Sequence, residues 1–225
     1  MALDDRYGIR AHADSSDDPM TGPRPLRLAS KSTGALYDVV ALVASAGGLN
    51  ALGEILGRLP PDFPGAVVVV QHLEPRHRSL MADILSRRTK LRVKEAEEGD
   101  RLQPHTVYIA PPDYHLLVNP GGTLSLSHSE LVHFVRPSGD LLFESVAASF
   151  KDRTIAVVLT GTGSDGAMGV QAIKKMGGTV IAQDEGSSEF FGMPAAAIKT
   201  KTVDFVLPIN EIAGAIVTLV KGEAS

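Results

Sequence analysis

The chain has no cysteine. That excludes a disulfide scaffold, a thiolate nucleophile and cysteine-ligated zinc, and it fits a reducing compartment. No apolar stretch approaches the ~20 residues that a membrane-spanning helix needs. The N-terminus carries Asp4, Asp5 and Arg6 and lacks the apolar segment of a secretory signal. An excess of positive charge is missing too: 22 Lys and Arg stand against 26 Asp and Glu, a formal net charge of −4. There is no basic footprint for nucleic acid, and an acidic partner would have to be met by a local basic patch. These absences predict a cytoplasmic protein that neither binds nucleic acid nor inserts into a membrane.

What remains is ordinary globular composition. Of 225 residues, 44% are hydrophobic and 21% charged, enough for one large domain or two small ones with a sizeable core. Residues 1–36 differ from the rest. The run DDRYGIRAHADSSDDPMTGPRPL is rich in Asp, Ser, Pro and Gly and has no sustained period. It offers too little apolar surface to offset its ordering entropy, so a disordered tail is expected over 1–36 and a compact domain over 37–225.

From residue 37 onward, β-type runs alternate with helical patterns. Strands are expected at 37–43, 66–70, 91–95, 106–110, 154–159, 178–182 and 203–206. Several are continuous β-branched runs such as AVVVV, the pattern of strands covered on both faces. Helices are expected at 48–58, 78–88, 138–150, 166–176, 194–199 and 209–221. The helix expected at 138–150 opens at Ser138 with an amphipathic stripe, and 166–176 stops at Gly177-Gly178, a C-cap signal. Between them, 114–128 reads as two alternating strands around Asn119-Pro120-Gly121-Gly122, an inserted hairpin. No internal repeat is visible. The expected fold is α/β: a doubly wound, mostly parallel sheet of about seven strands, helices on both faces, and an antiparallel β-hairpin insertion.

In such sheets chemistry sits beyond the carboxyl ends of the strands. Ser45 follows the first strand, in YDVVALVASAGGLNAL. His72 follows AVVVV, and Asp165 lies in TGTGSDG after TIAVVL. A serine, a histidine and an aspartate are the nucleophile, general base and orienting carboxylate of a serine hydrolase. Each also has a plainer role. Ser45 could cap a helix, His72 could be a satisfied polar residue, and Asp165 could cap the helix that follows it. Glycine-rich βα turns also cradle phosphates, but SAGG lacks the GxGxxG pattern and GTGSDGAMG has no Walker lysine. His12, His77, His105, His115, His128 and His133 show no metal-type spacing, and the carboxylates of KEAEEGD read as a solvated face, so no metal site is expected.

The segments SAGG, QHLEPRHRSLMADILSRRTKLRVKEAEEGDRLQPHTVYIAPPDYHLLV, VRPSGDLLFESVA, VVLTGTGSDGAMGVQAIKKMGGTVIAQDE and FGMPAAAI together resemble the catalytic domain of the chemotaxis protein-glutamate methylesterases, the CheB family. The resemblance covers about 37–220. It implies a catalytic triad of Ser45, His72 and Asp165, an oxyanion hole from the backbone N–H groups of Ala46 and Thr162, and no cofactor. It implies hydrolysis of glutamate γ-methyl esters on methyl-accepting chemotaxis receptors with release of methanol, and deamidation of receptor glutamines by the same acyl chemistry. The partner would be a receptor's cytoplasmic domain, with substrate contacts at Arg76, Phe191 and Met193. The alternative is a same-fold hydrolase or binding protein in a pathway outside chemotaxis.

Departures from the family pattern are Val43 and Ala46, where glycine and threonine are frequent, and Thr162, where a bulkier apolar residue is frequent. Relatives often carry a receiver domain of about 120 residues, a common domain size; 36 residues precede the core here. This implies a stand-alone catalytic domain, constitutively active or controlled by a separate protein, with a separate regulator or methyltransferase as a further partner.

Overall fold

The computed structural model describes residues 38–72 and 80–222. The expected tail over 1–36, and Tyr37 at the head of the first expected strand, lie outside them. In chain order the elements are β1 (Val39–Ala44), α1 (Gly48–Arg58), β2 (Ala66–Gln71), α2 (Met81–Ser86), β3 (Arg92–Glu95) and β4 (Thr106–Ile109). The hairpin follows as β5 (His115–Val118) and β6 (Leu124–Ser127), then α3 (Gly139–Phe150), β7 (Thr154–Val158), α4 (Ala167–Lys175), β8 (Thr179–Gln183), α5 (Gly192–Lys199), β9 (Phe205–Leu207) and α6 (Ile209–Lys221). A single 3-10 turn, Lys151–Arg153, which the sequence pattern did not suggest, links α3 to β7.

Seven strands form one parallel sheet in the order β3-β4-β2-β1-β7-β8-β9, and β5-β6 is a separate antiparallel pair. The fold is the expected one. Every residue of β1 and β2 is buried, as continuous Val and Ala runs require when helices cover both faces. The strand's twofold alternation divides the core. Val40, Leu42 and Ala44 face a cluster with Leu52, Ile55 and Leu56 of α1 and Ile212 and Ile216 of α6. Val39, Ala41 and Val43 face the other, with Leu142, Phe143 and Val146 of α3, Val170 and Ile173 of α4, and Leu116 and Leu124 of the hairpin. Phe63, Phe143 and Leu42 are fully buried, and each such side chain contributes about 1.5–3 kcal/mol by leaving water.

Strand order decides where a site can form. From β1 the chain passes to β2, then to the edge strand β3 and back to β4 between them, before it returns to the other side of β1 with β7 and winds outward through β8 to β9. The reversal lies between β1 and β7, and the helices leaving those strands diverge there to open a crevice above the strand ends. The hairpin is docked beside this point. Its Val118 N–H donates to Ser145 Oγ at 3.0 Å, and Ser149 Oγ donates to Val118 O at 2.8 Å, which fixes β5 against α3.

Candidate active site

Three strands end at the reversal, and each carries one of the residues singled out in the sequence: Ser45 after β1, His72 after β2 and Asp165 beyond β7. The sheet register sets their spacing. Ala44 is paired with Gln71, His72 N–H donates to Ala44 O at 3.2 Å, and Ser45 N–H donates to Thr160 O at 3.0 Å. The turns that hold the three side chains are thus tied to one another by backbone hydrogen bonds.

His72 Nε2 lies 2.8 Å from Asp165 Oδ2. Asp165 is 4% exposed and would be costly to keep charged without partners. It has three more donors, all from the start of α3. Ser138 Oγ donates to Oδ1 at 2.9 Å, Asp140 N–H donates to Oδ1 at 3.1 Å, and Gly139 N–H donates to Oδ2. A helix N-terminus presents unpaired N–H groups and a partial positive charge, and Asp165 occupies it as a carboxylate from another element. Burial acts to raise the carboxyl's pKa, but the bonds from His72 and Gly139 and the charge of His72 outweigh it and hold Asp165 below the ordinary value of 3.8. The carboxylate can therefore only accept, so His72 carries a proton on Nε2, and its Nδ1 has no hydrogen-bond partner among the described residues.

The capping roles of Asp165 and Ser45 fail on geometry. The helix after Asp165 starts at Ala167 with Gly166 as its cap, at φ 93, and no side chain caps it. Asp165 does not cap the helix it precedes; it binds the start of α3. In the same way α1 is capped by Gly47, at φ 75, with no side-chain bond. Ser45 is not the cap of α1, and among the described residues its hydroxyl makes no hydrogen bond. The positive φ at both caps is where glycine is needed.

Polar groups hold the Ser45 turn from below. Gln71 Nε2 donates to Ser45 O at 2.7 Å. Thr160 Oγ1 lies 3.0 Å from Ala46 O and accepts from Phe190 N–H at 2.8 Å. Thr160 N–H donates to Gln183 Oε1 at 2.8 Å. The segment around Phe190 is pinned alongside, because Gly161 N–H donates to Phe190 O at 2.8 Å and Met193 N–H donates to Gly161 O at 2.9 Å. Beside this scaffold the N–H groups of Ala46 and Thr162 have no hydrogen-bond partner among the described residues. Among the described residues there is also no cluster of His, Asp or Glu suited to a metal ion. No helix among them is long and apolar enough to cross a membrane.

Comparison with known sequences decides the family. The sequence model of CheB methylesterase matches residues 40–216.

The chain belongs to the CheB methylesterase family.

It is thus an enzyme of the methylesterase class, a hydrolase of carboxylic esters. A protein of Leptospira interrogans named for protein-glutamate methylesterase and protein-glutamine glutaminase activity is 42% identical over 177 residues, 79% of this chain and 92% of that protein. The protein-glutamate methylesterase FrzG of Myxococcus xanthus is 43% identical over 180 residues, which is 80% of this chain and 54% of FrzG. The crystal structure of the Thermotoga maritima CheB methylesterase catalytic domain superposes with a TM-score of 0.79 at 40% identity, covering 82% of this chain and 99% of that one.

Within this CheB-type site the sequence-predicted residues fall as follows. Ser45, Ala46, His72 and Asp165 come together at the strand ends, and Thr162 stands exposed in the loop between β7 and α4. Phe191 is half-buried at the cap of α5. Met193 is fully buried under Gly161, close to Ser45 Cβ. Arg76 lies outside the described residues. Sequence reasoning missed Ser138, Gly139 and Asp140 as partners of Asp165, and Gln71, Thr160 and Gln183 as supports of the turn. It also passed over His115, which is wholly buried behind Ser138. Gln71 and Gln183 could have been found, since both are polar residues closing otherwise apolar buried strands.

Proposed function

We propose that this methylesterase hydrolyses glutamate γ-methyl esters on the cytoplasmic domain of methyl-accepting chemotaxis receptors, with Ser45, His72 and Asp165 as the reacting triad. The observation that carries the reading is the bond between His72 and the buried Asp165, at the strand ends where Ser45 has a hydroxyl with no partner among the described residues. Ser45 Oγ attacks the ester carbonyl carbon, and its proton passes to His72 Nδ1. The carbonyl π electrons move onto oxygen, which is received by the N–H groups of Ala46 and Thr162. Collapse breaks the bond to methoxide, which takes the proton from His72 and leaves as methanol. Water then attacks the acyl-enzyme, gives its proton to Nδ1, and releases the glutamate side chain as Ser45 regains its hydrogen.

Asp165 stays ionised throughout, fixing the ring and stabilising its cation. Here the orienting carboxylate binds Nε2 and the base is Nδ1. A glutamine side chain fits the same sequence of steps with ammonia as the leaving group. In this reading Phe191, half-buried at the start of α5, contacts the substrate, and the buried Met193 supports Gly161. Residues 37–225 form the catalytic domain in this reading, and the chain acts in the cytoplasm, where the receptors present their modified glutamates.

The test is methanol release from a methylated receptor signalling domain, wild type against Ser45→Ala. Release by wild type alone is the expected result. Failure of both, with Ser45 still labelled by a serine-reactive phosphonate, would move the substrate to another ester. Failure of both without labelling would remove the nucleophile from the scheme.

A further inference from the structure

We propose that His115 is a positioning residue for the reaction: as a neutral imidazole with its hydrogen on Nε2, it fixes Ser138 and the first turn of α3 against Asp165, and through Asp165 the ring of His72. The inference rests on the triad reading given above.

His115 opens β5 and is wholly buried. Its two nitrogens have partners of opposite kind. Ser138 N–H lies 3.1 Å from Nδ1, and Glu130 O lies 3.0 Å from Nε2. A backbone N–H can only donate and a carbonyl can only accept, so both bonds exist together in one tautomer alone. Nδ1 must hold its lone pair toward Ser138, and Nε2 must carry the hydrogen. The imidazolium cannot satisfy the site, since its Nδ1–H would face the Ser138 N–H.

The residue that receives this attention is the hinge of the carboxylate anchor. Ser138 donates its hydroxyl to Asp165 Oδ1, and the next two N–H groups, of Gly139 and Asp140, complete the cradle. Holding Ser138 N at one point therefore sets where all three donors aim. A continuous relay runs His115, Ser138, Asp165, His72 across the hairpin, α3 and two strand ends.

The same geometry makes the anchor acid-sensitive. The charged groups facing His115 are Arg136 before α3, His128 beyond β6 and Asp165 from the β7–α4 loop. Burial first, then Arg136 and His128, act against its protonation, while the bond to Glu130 and the charge of Asp165 favour it. The balance holds its pKa below 6.5, so the neutral form persists to lower pH than a free imidazole allows.

The experiment compares His115→Phe, which fills the space without either bond, with His115→Asn, whose amide oxygen can take the place of Nδ1. Both are assayed in the full chain by methanol release from a methylated receptor signalling domain, beside Asp165→Asn. His115→Phe is expected to lower kcat by about 10²-fold, the scale of a misplaced reacting group, with KM within about twofold. His115→Asn is expected to recover most of that loss. On the acid side, log kcat/KM of wild type should fall with a limiting slope steeper by one than that of His115→Asn, the extra proton being that of His115. Wild-type kcat in His115→Phe, or equal losses in Phe and Asn variants, would overturn the inference while an inactive Asp165→Asn leaves the triad standing. An Asp165→Asn variant as active as wild type would overturn the triad reading, and this inference with it.

Discussion

Two turns leave the same edge of the same sheet and are built on opposite plans. In the β7–α4 loop, Asp165 is sealed from water and held by four donors, from His72, Ser138, Gly139 and Asp140. In the β1–α1 turn the backbone is held as firmly, through Gln71, Thr160 and the register with β2, but the Ser45 hydroxyl is left without a partner among the described residues. One turn immobilises a charge and the other immobilises a main chain while leaving its side chain free. In the triad reading proposed above, the difference matches the work of each group: a fixed charge stabilises a cation without reorganising, whereas a nucleophile must be able to form a new bond.

Substitutions can break this contrast. Ser45→Ala should produce the largest effect on rate, about 10⁶-fold in kcat, as removing a triad nucleophile does elsewhere. It should leave stability within about 0.5 kcal/mol of wild type, because no structural bond is lost. Methanol release and thermal melting on the same sample separate the two. Asp165→Asn should cost about 10⁴-fold in kcat and, unlike the serine variant, about 1–3 kcal/mol of stability, since its amide hydrogens would face N–H donors. It should also change acid denaturation. The folded-state pKa of Asp165 is held below 3.8, so its contribution to stability is present above pH 3.8 and is lost as pH falls through the folded value. Stability of the Asn variant, followed by urea melts across that range, should depend less on pH.

A smaller effect tests the cradle from its backbone. A Cβ on Gly139 would overlap the methyls of Val43 and stand 3.1 Å from Asp165 Oδ2. Gly139→Ala should cost about 1–3 kcal/mol by overpacking and also slow the reaction by moving the carboxylate; a variant that is destabilised yet fully active would show that the cradle tolerates displacement. Ser138→Ala is the mildest. It removes one donor to Asp165 and the α3 cap, whose bond from Leu141 N–H is long at 3.5 Å, and should cost about 1 kcal/mol in a chemical melt.

The same contrast explains what was legible in the sequence. The strands were legible because burial on both faces forces runs such as AVVVV, and the end of α4 because Gly177, at φ 89, must follow it. The expected α1, at 48–58, matches the helix as found. Ser45, His72 and Asp165 could be picked out because doubly wound topology says where to look, after strands. Their partners could not. Ser138 is 27 residues from Asp165 in sequence and His115 another 23 before Ser138, and the bonds that join them exist only once the hairpin and α3 have packed. Ser138 was expected only as the residue that opens α3, which it caps; that the same hydroxyl also serves Asp165 is a tertiary fact with no local signature. His115 was dismissed because its neighbours in sequence carry no metal spacing, although its work is done through two backbone groups.

The central place of β1 has a consequence for how the enzyme comes into being. β1, β2, β4 and β3 can pair as soon as the chain has been made as far as Ile109, and this half-sheet already holds Ser45 and His72. The far side of β1 then waits as an open edge for β7, which also delivers the loop bearing Asp165 and arrives more than a hundred residues after the serine. Domains fold largely as units during and after synthesis, and pairings of such long separation form late. A nascent or truncated chain therefore displays a serine and a histidine with no carboxylate to organise them. In the triad reading proposed above, pairing of β7 with β1 and completion of the catalytic site are one event, so a chain that has not yet added β7 to the sheet is inert.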